Sequence, residues 1–207
     1  KLKVKKAPKY NRSNKFLKFI SWIKYTFYAL LFIFSLKNDD IVLISSNPPI
    51  LGFCSYPILR IKKIKYFILI YDIYPEVLIS EKIFSPNNLF VKLWFKVNKI
   101  LYKNSELLLT IGESMLKNIK NQFKLNNINF LKPYVDTKSI RPLSYKENIF
   151  ASEYIDKEDF VVMYSGNMGY SHDIKTVLKA ARLLKTNLKI CFLFIGHGPG
   201  FSEVKEF

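Results

Sequence analysis

Hydrophobic residues alternate between two rhythms along this chain, short uninterrupted apolar runs and longer stretches with apolar positions three and four apart. The runs are Ile41–Ile44, Tyr66–Tyr71, Glu106–Ile111, Asn129–Leu131, Phe160–Tyr164 and Ile190–Ile195. Each is strand-sized, and four end in turn-forming residues: Ser45-Ser46-Asn47-Pro48-Pro49, Asp72 to Glu76, Ser165 to Gly169, and Gly196 to Pro199. Between them lie helical stretches. Residues 15–36 carry Phe16, Phe19, Ile20, Ile23 and Phe27 on one face. Residues 50–61 are helical with Pro57 inside, and 88–104 carry Leu89, Phe90, Leu93, Trp94, Val97 and Leu101. A short helix runs to Phe123, and the stretch after Ser171 carries Ile174, Val177, Leu178, Ala181 and Leu184. Strands alternating with helices predict an α/β protein whose parallel strands hold a ligand at their carboxyl ends.

The rhythm fails between Thr137 and Asp159, where Pro142 and five acids interrupt an otherwise basic chain. This predicts a Rossmann-like unit over 1–136, a linker over 137–158 and the opening strand-helix-strand of a second Rossmann-like unit over 159–207. Lys1 is not an initiator methionine, and Phe207 falls where another helix and more strands are due, so the expectation is part of a longer protein.

Composition sharpens the picture. The 207 residues are 49% hydrophobic and 16% aromatic, which argues for packed cores and against disorder. Net charge is +17, which favours anionic partners: nucleic acid, acidic lipid or phosphorylated substrates. Ten basic residues and no acid precede Asp39. The apolar part of the first helix, Tyr25 to Leu36, is too short to span a bilayer, and no signal-peptide cleavage pattern follows it. Two readings stay open for this helix: packed on a sheet with its basic edge in water, or lying on anionic lipid. Cys54 and Cys191 lie far apart in apolar segments, predicting two buried, unpaired thiols, and their surroundings predict no metal site.

The candidate chemistry gathers at the two glycine turns. Gly166 and Gly169 permit positive φ or close approach to a ligand, Ser171 can cap the next helix, and the amides at that helix start suit a phosphate. His172 and, between Gly196 and Gly198, His197 can pair with a phosphate or move a proton. The Gly-x-x-Gly spacing lacks the dinucleotide and P-loop signatures. An anion cradle and a plain structural turn both remain open. Asp72, at a strand's carboxyl end, either faces a cleft or caps a turn.

Taken together, Val162 to Gly169, His172-Asp173, Leu178, Ala180-Ala181 and Leu184, then Phe192 to Pro199, resemble the opening of the donor domain of glycosyltransferase family 4. The subgroup resembled builds bacterial surface polysaccharides, such as fucosamine transferases of O-antigen synthesis. Upstream, Asp40–Pro49, Asp72–Glu76, Glu106–Ser114 and Val135–Pro142 resemble further segments of the subgroup in the same order.

The resemblance implies a GT-B fold and a retaining, metal-independent transferase with no cofactor. It would move a sugar from a nucleotide donor, UDP-linked, to a lipid-linked or polysaccharide acceptor, in the cytoplasm on the inner face of a bacterial plasma membrane. The basic segment 1–37 would meet anionic lipid. It implies a donor-diphosphate site at Gly166, Asn167, Gly169, Ser171, His172, Gly196, His197 and Gly198, and Asp72 near the reacting centre. Asn167 stands where many members have a basic residue, with Lys175 a substitute, while Tyr71 and His197 replace other family residues. The family's Glu-x7-Glu segment would lie beyond Phe207 and its first glycine loop before Lys1, so this stretch alone is expected to be inactive. A basic nucleic-acid-binding α/β protein and a non-catalytic interaction remnant are the alternatives.

Overall fold

The computed structural model describes residues 6–9, 15–169 and 172–207. The chain is mixed α/β and divides into two compact units, Lys1–Tyr134 and Val135–Phe207.

In the first unit, α1 (Lys15–Phe34) precedes four strands: β1 (Ile41–Ser45), β2 (Lys65–Ile70), β3 (Leu107–Thr110) and β4 (Ile128–Phe130). They form one parallel sheet in the order β1-β2-β3-β4, with Ile44 opposite Ile68, Ile68 opposite Leu108 and Leu108 opposite Ile128. The crossovers are α2 (Leu51–Ile61), then α3 (Glu76–Ser80) with α4 (Leu89–Lys103), then α5 (Glu113–Phe123). Because spatial order follows chain order, crossovers of one hand put their helices on one face. Strand parity agrees: Ile44, Tyr66, Ile68, Ile70 and Leu108 are buried, whereas Ile41 and Leu43 are exposed on the other face. The core joins these strand residues to Leu59, Leu101, Ile119, Phe123 and Leu125, each nearly or fully buried and contributing roughly 1.5–3 kcal/mol by transfer.

Local chemistry sets the helix ends. Asn88 Oδ1 accepts the Phe90 amide at 2.8 Å to start α4. Lys124, at φ +53°, ends α5 in the left-handed region and turns Leu125 into the core. The buried face of α4 is rotated from the expected one: Leu89, Phe90 and Leu93 are exposed, while Val91, Trp94, Asn98, Leu101 and Tyr102 are buried. A polar residue enters this stripe because Asn98 Nδ2 donates to the Tyr74 carbonyl at 2.7 Å.

Both carboxylate oxygens of Glu76, which opens α3, are buried without a hydrogen-bond partner. Burial pushes this carboxyl above its ordinary range; Gln122 and the Glu76 backbone oppose the shift without completing a good hydrogen bond. The folded chain therefore holds the proton more tightly than the unfolded chain. The penalty is absent below the unfolded pKa and grows as pH rises through the folded one. Glu76→Gln is expected to raise stability by about 1 kcal/mol near neutral pH and to change it little in mild acid, read from urea midpoints.

The second unit contains α6 (Ile149–Tyr154), β5 (Phe160–Asn167), α7 (Ile174–Leu183), β6 (Ile190–His197) and α8 (Phe201–Glu206). The expected linker is not structureless. Asn148 caps α6 at the Ala151 amide, and the Tyr145 hydroxyl donates to the Ile155 carbonyl at 2.6 Å. β5 and β6 pair in parallel from Phe160–Ile190 to Asn167–His197. Both strands outrun their apolar runs and absorb Gly166, Asn167, Gly196 and His197, which were expected in turns. Met168, Ile174 and Leu178 form a small core beneath them, with Ala181 also buried. The two cysteines are free but half-buried rather than buried.

Candidate functional site

The last residues of β5 and β6 form a backbone clasp. Gly166, Gly196 and Gly198 have φ of +151°, +154° and +129°. A Cβ on Gly196 would lie 1.9 Å from the Gly166 carbonyl oxygen, and one on Gly198 would lie 2.6 Å from that of Met168. Side chains are thus excluded at both places, and backbone is brought against backbone. The Met168 amide donates to the His197 carbonyl at 2.8 Å, and the Gly200 amide returns to the Met168 carbonyl at 2.9 Å. The two strand ends are thereby laced together.

Beside this clasp opens a cleft of about 410 Å³, lined by Gly169, His172, Asp173, Ile174, Lys175, Pro199, Gly200 and Glu203. Its size is that of small-ligand sites. His172 Nδ1 lies 2.7 Å from the Tyr164 hydroxyl, which also donates to the Asn167 carbonyl at 3.1 Å. A hydroxyl has one hydrogen. When Asn167 takes it, Nδ1–H is the donor to Tyr164 and Nε2 is an acceptor; when the hydrogen turns to Nδ1 instead, Nε2–H is left as a donor for a ligand.

The helix start differs from the expectation. Ser171 lies outside the described residues, and the N-cap of α7 is Asp173. Its Oδ1 accepts the Thr176 amide at 3.2 Å, and its Oδ2 accepts the Thr176 hydroxyl at 2.6 Å. Those two bonds, with smaller help from Lys179 and Lys175, hold its carboxyl below the usual range. The Ile174 amide is turned back to the His172 carbonyl at 2.9 Å. Lys175 pairs loosely with Glu203 at 3.8 Å, both side chains being solvated, so the contact contributes little.

The cleft thus sets two carboxylates against one lysine, with His172 the one histidine in its lining, so net charge does not favour an anion there. Asp173→Asn keeps the cap and removes one negative charge. It is expected to tighten the hold of the cleft on a phosphate-bearing anion about threefold. Unchanged or weaker binding in a calorimetric titration would show that no anion sits there.

A second set of residues gathers at the carboxyl ends of β1 and β2 in the first unit. Ser46 Oγ accepts the amides of Tyr71 at 3.0 Å and Asp72 at 3.2 Å, tying the two strand ends together. A cavity of about 30 Å³ lies there, among Ser46, Asp72, Tyr74, Trp94 and Asn98. Tyr74 stacks on Trp94 with ring centroids 6.1 Å apart and planes 9° from parallel. Asp72 is exposed at its rim. A cavity of this volume admits a water or one small polar substituent.

The structure therefore brings Gly166, Asn167, Gly196, His197 and Gly198 together at one strand end, with Gly169 and His172 on the adjoining cleft. Asp72 belongs to the other unit. Sequence reasoning missed Asp173 as a cap, Tyr164 as partner of His172, and Asn98. Asn98 was legible as the one polar residue in the series Val91, Trp94, Asn98, Leu101; Asp173 was legible from Thr176 three residues on. Among the described residues, no group of three or more His, Cys, Asp or Glu could hold a metal ion. No family model and no curated protein matches this chain.

Proposed function

We propose that the protein is a nucleotide-sugar glycosyltransferase of GT-B type, of the kind that builds bacterial surface polysaccharides. The observation that supports it most is the glycine clasp. Three glycines with positive φ, two of which admit no side chain, stand at the carboxyl ends of two parallel strands, beside a cleft of about 410 Å³. Parallel α/β sheets bind phosphorylated ligands at such ends.

In this reading the diphosphate meets the backbone of Gly166–Gly169 and Gly196–Gly198. His172 and His197 supply donors, and Lys175 supplies the one cation. Those groups would stabilise the departing nucleoside diphosphate as the sugar carbon gains positive character. The first unit would take the acceptor, with Asp72 near the reacting hydroxyl. The reading includes retention at the sugar carbon, metal-independent transfer, a lipid-linked or polysaccharide acceptor, and work on the inner face of the plasma membrane.

The test is calorimetric titration of the 207-residue chain with UDP, UDP-sugars and single-stranded oligonucleotides. The reading expects saturable binding of UDP or a UDP-sugar. Oligonucleotide binding that weakens steeply with salt, without UDP binding, would favour a nucleic-acid partner instead.

A further inference from the structure

Helix α1 packs against the grain of its sequence. The face turned to the protein carries Ser21, Thr26 and Ile33, at 6%, 4% and 5% exposure, with half-buried Ala29 and, just past the helix end, half-buried Leu36. The residues turned to solvent are larger and more apolar. Phe16, Phe27, Leu31 and Phe34 are 56–70% exposed, and Phe19 and Ile23 nearly half. At 100° per residue these six fall within an arc of about 120°. A helix that packed on its sheet by hydrophobicity would turn this arc inward. Here only 17% of its most apolar window is buried.

The charges around the arc have one sign. Lys24 is exposed on α1 just past one edge of the arc, Lys18 is exposed toward the opposite side of the helix, and Lys62, the C-cap of α2, reaches the end of α1, with Nζ donating to the Phe34 carbonyl at 2.6 Å. No acid precedes Asp39.

We infer that this arc is a docking surface for an anionic lipid bilayer, on which α1 lies in the plane of the headgroups with Phe16, Ile23, Phe27, Leu31 and Phe34 inserted. Aromatic residues on one side with lysines alongside are the requirements for interfacial binding. A second copy of the chain fits less well. Pairing two α1 arcs would bring the Lys24 of each copy toward the other helix with no acid from either to offset it.

By length and composition the helix is long and apolar enough to cross a membrane, its apolar stretch beginning well before Tyr25. The full stretch of 19 residues tolerates Lys18 and Lys24 within a mean hydropathy of 1.4. Crossing is opposed by the packing. The inner face is held against α2, and Phe34 is separated by only a short turn from β1, which is hydrogen-bonded into the sheet. The inference stands on the first unit alone and does not depend on the transferase reading.

Vesicle flotation of the 207-residue chain tests it. Binding to vesicles containing phosphatidylglycerol is expected to exceed that to pure phosphatidylcholine about tenfold and to weaken with salt. Phe27→Ser with Leu31→Ser alters only exposed positions and is expected to lower binding about tenfold, with circular dichroism unchanged. Lys24→Gln is expected to lower it several-fold on anionic vesicles only. The unaltered chain's lipid and salt preference keeps the test open should the double variant misfold. Absence of vesicle binding, equal binding to both lipids, or a folded double variant that still binds fully would overturn the inference. So would a dimer that the double variant dissociates and that does not bind vesicles.

Discussion

Gly196→Ala is expected to cost the second unit about 3 kcal/mol or more, enough to disorder the ends of β5 and β6. The new methyl would stand 1.9 Å from the Gly166 carbonyl oxygen, an atom of the neighbouring strand's backbone with no rotamer to escape into. A φ of +154° adds strain for any residue with a Cβ. Gly112→Ala is the matched comparison. Gly112 sits at φ −153° before α5, and its Cβ would meet nothing within 4 Å. Its cost is about 1 kcal/mol at most, from weaker capping. Urea unfolding followed by a probe in each unit separates the two. Equal, small losses would mean that the clasp is not under backbone contact.

Asp72→Asn is expected to lower sugar transfer by roughly 100-fold or more while leaving folding and UDP affinity unchanged. Its side chain is exposed at the rim of the small cavity, and the residue's backbone amide, not its carboxylate, carries the bond to Ser46. Stability therefore does not depend on the charge. UDP affinity does not either, since the donor is assigned to residues of the other unit. A transfer assay on the natural protein, unaltered and with the substitution, gives the ratio. Full transfer by Asp72→Asn would remove this residue from the chemistry.

The alternation of strands and helices was legible because each apolar run and each three-and-four spacing is unambiguous at its length. Runs such as Ile41–Ile44 and Phe192–Ile195 became strands as expected. What escaped was the direction in which faces point. In α4, Leu89, Phe90 and Leu93 have the spacing of a core stripe, yet a hydrogen bond from Asn98 to Tyr74 rotates the helix so that Val91 and Asn98 face inward. In α1 the aromatic arc is the stronger apolar signal, yet the smaller Ser21, Thr26 and Ala29 lie on the inner side of a helix that packs against α2.

The glycines of the candidate site could be read from the sequence, because few other residues tolerate such turns. Their strand pairing could not. The match of Gly166 with Gly196 depends on register, which follows from apolar residues earlier in β5 and β6. The cap was misplaced for a related reason. Serine and aspartate two residues apart both cap well, and Thr176 decides for Asp173 by offering its amide and its hydroxyl.

The central claim is that a nucleotide-sugar diphosphate rests on the glycine clasp. Amide hydrogen exchange of the chain with and without saturating UDP-sugar tests it most directly. The account predicts slowed exchange confined to 166–169 and 196–200 and the start of α7, with β1 to β4 unchanged. Protection elsewhere, or none at a concentration where calorimetry shows binding, would contradict it.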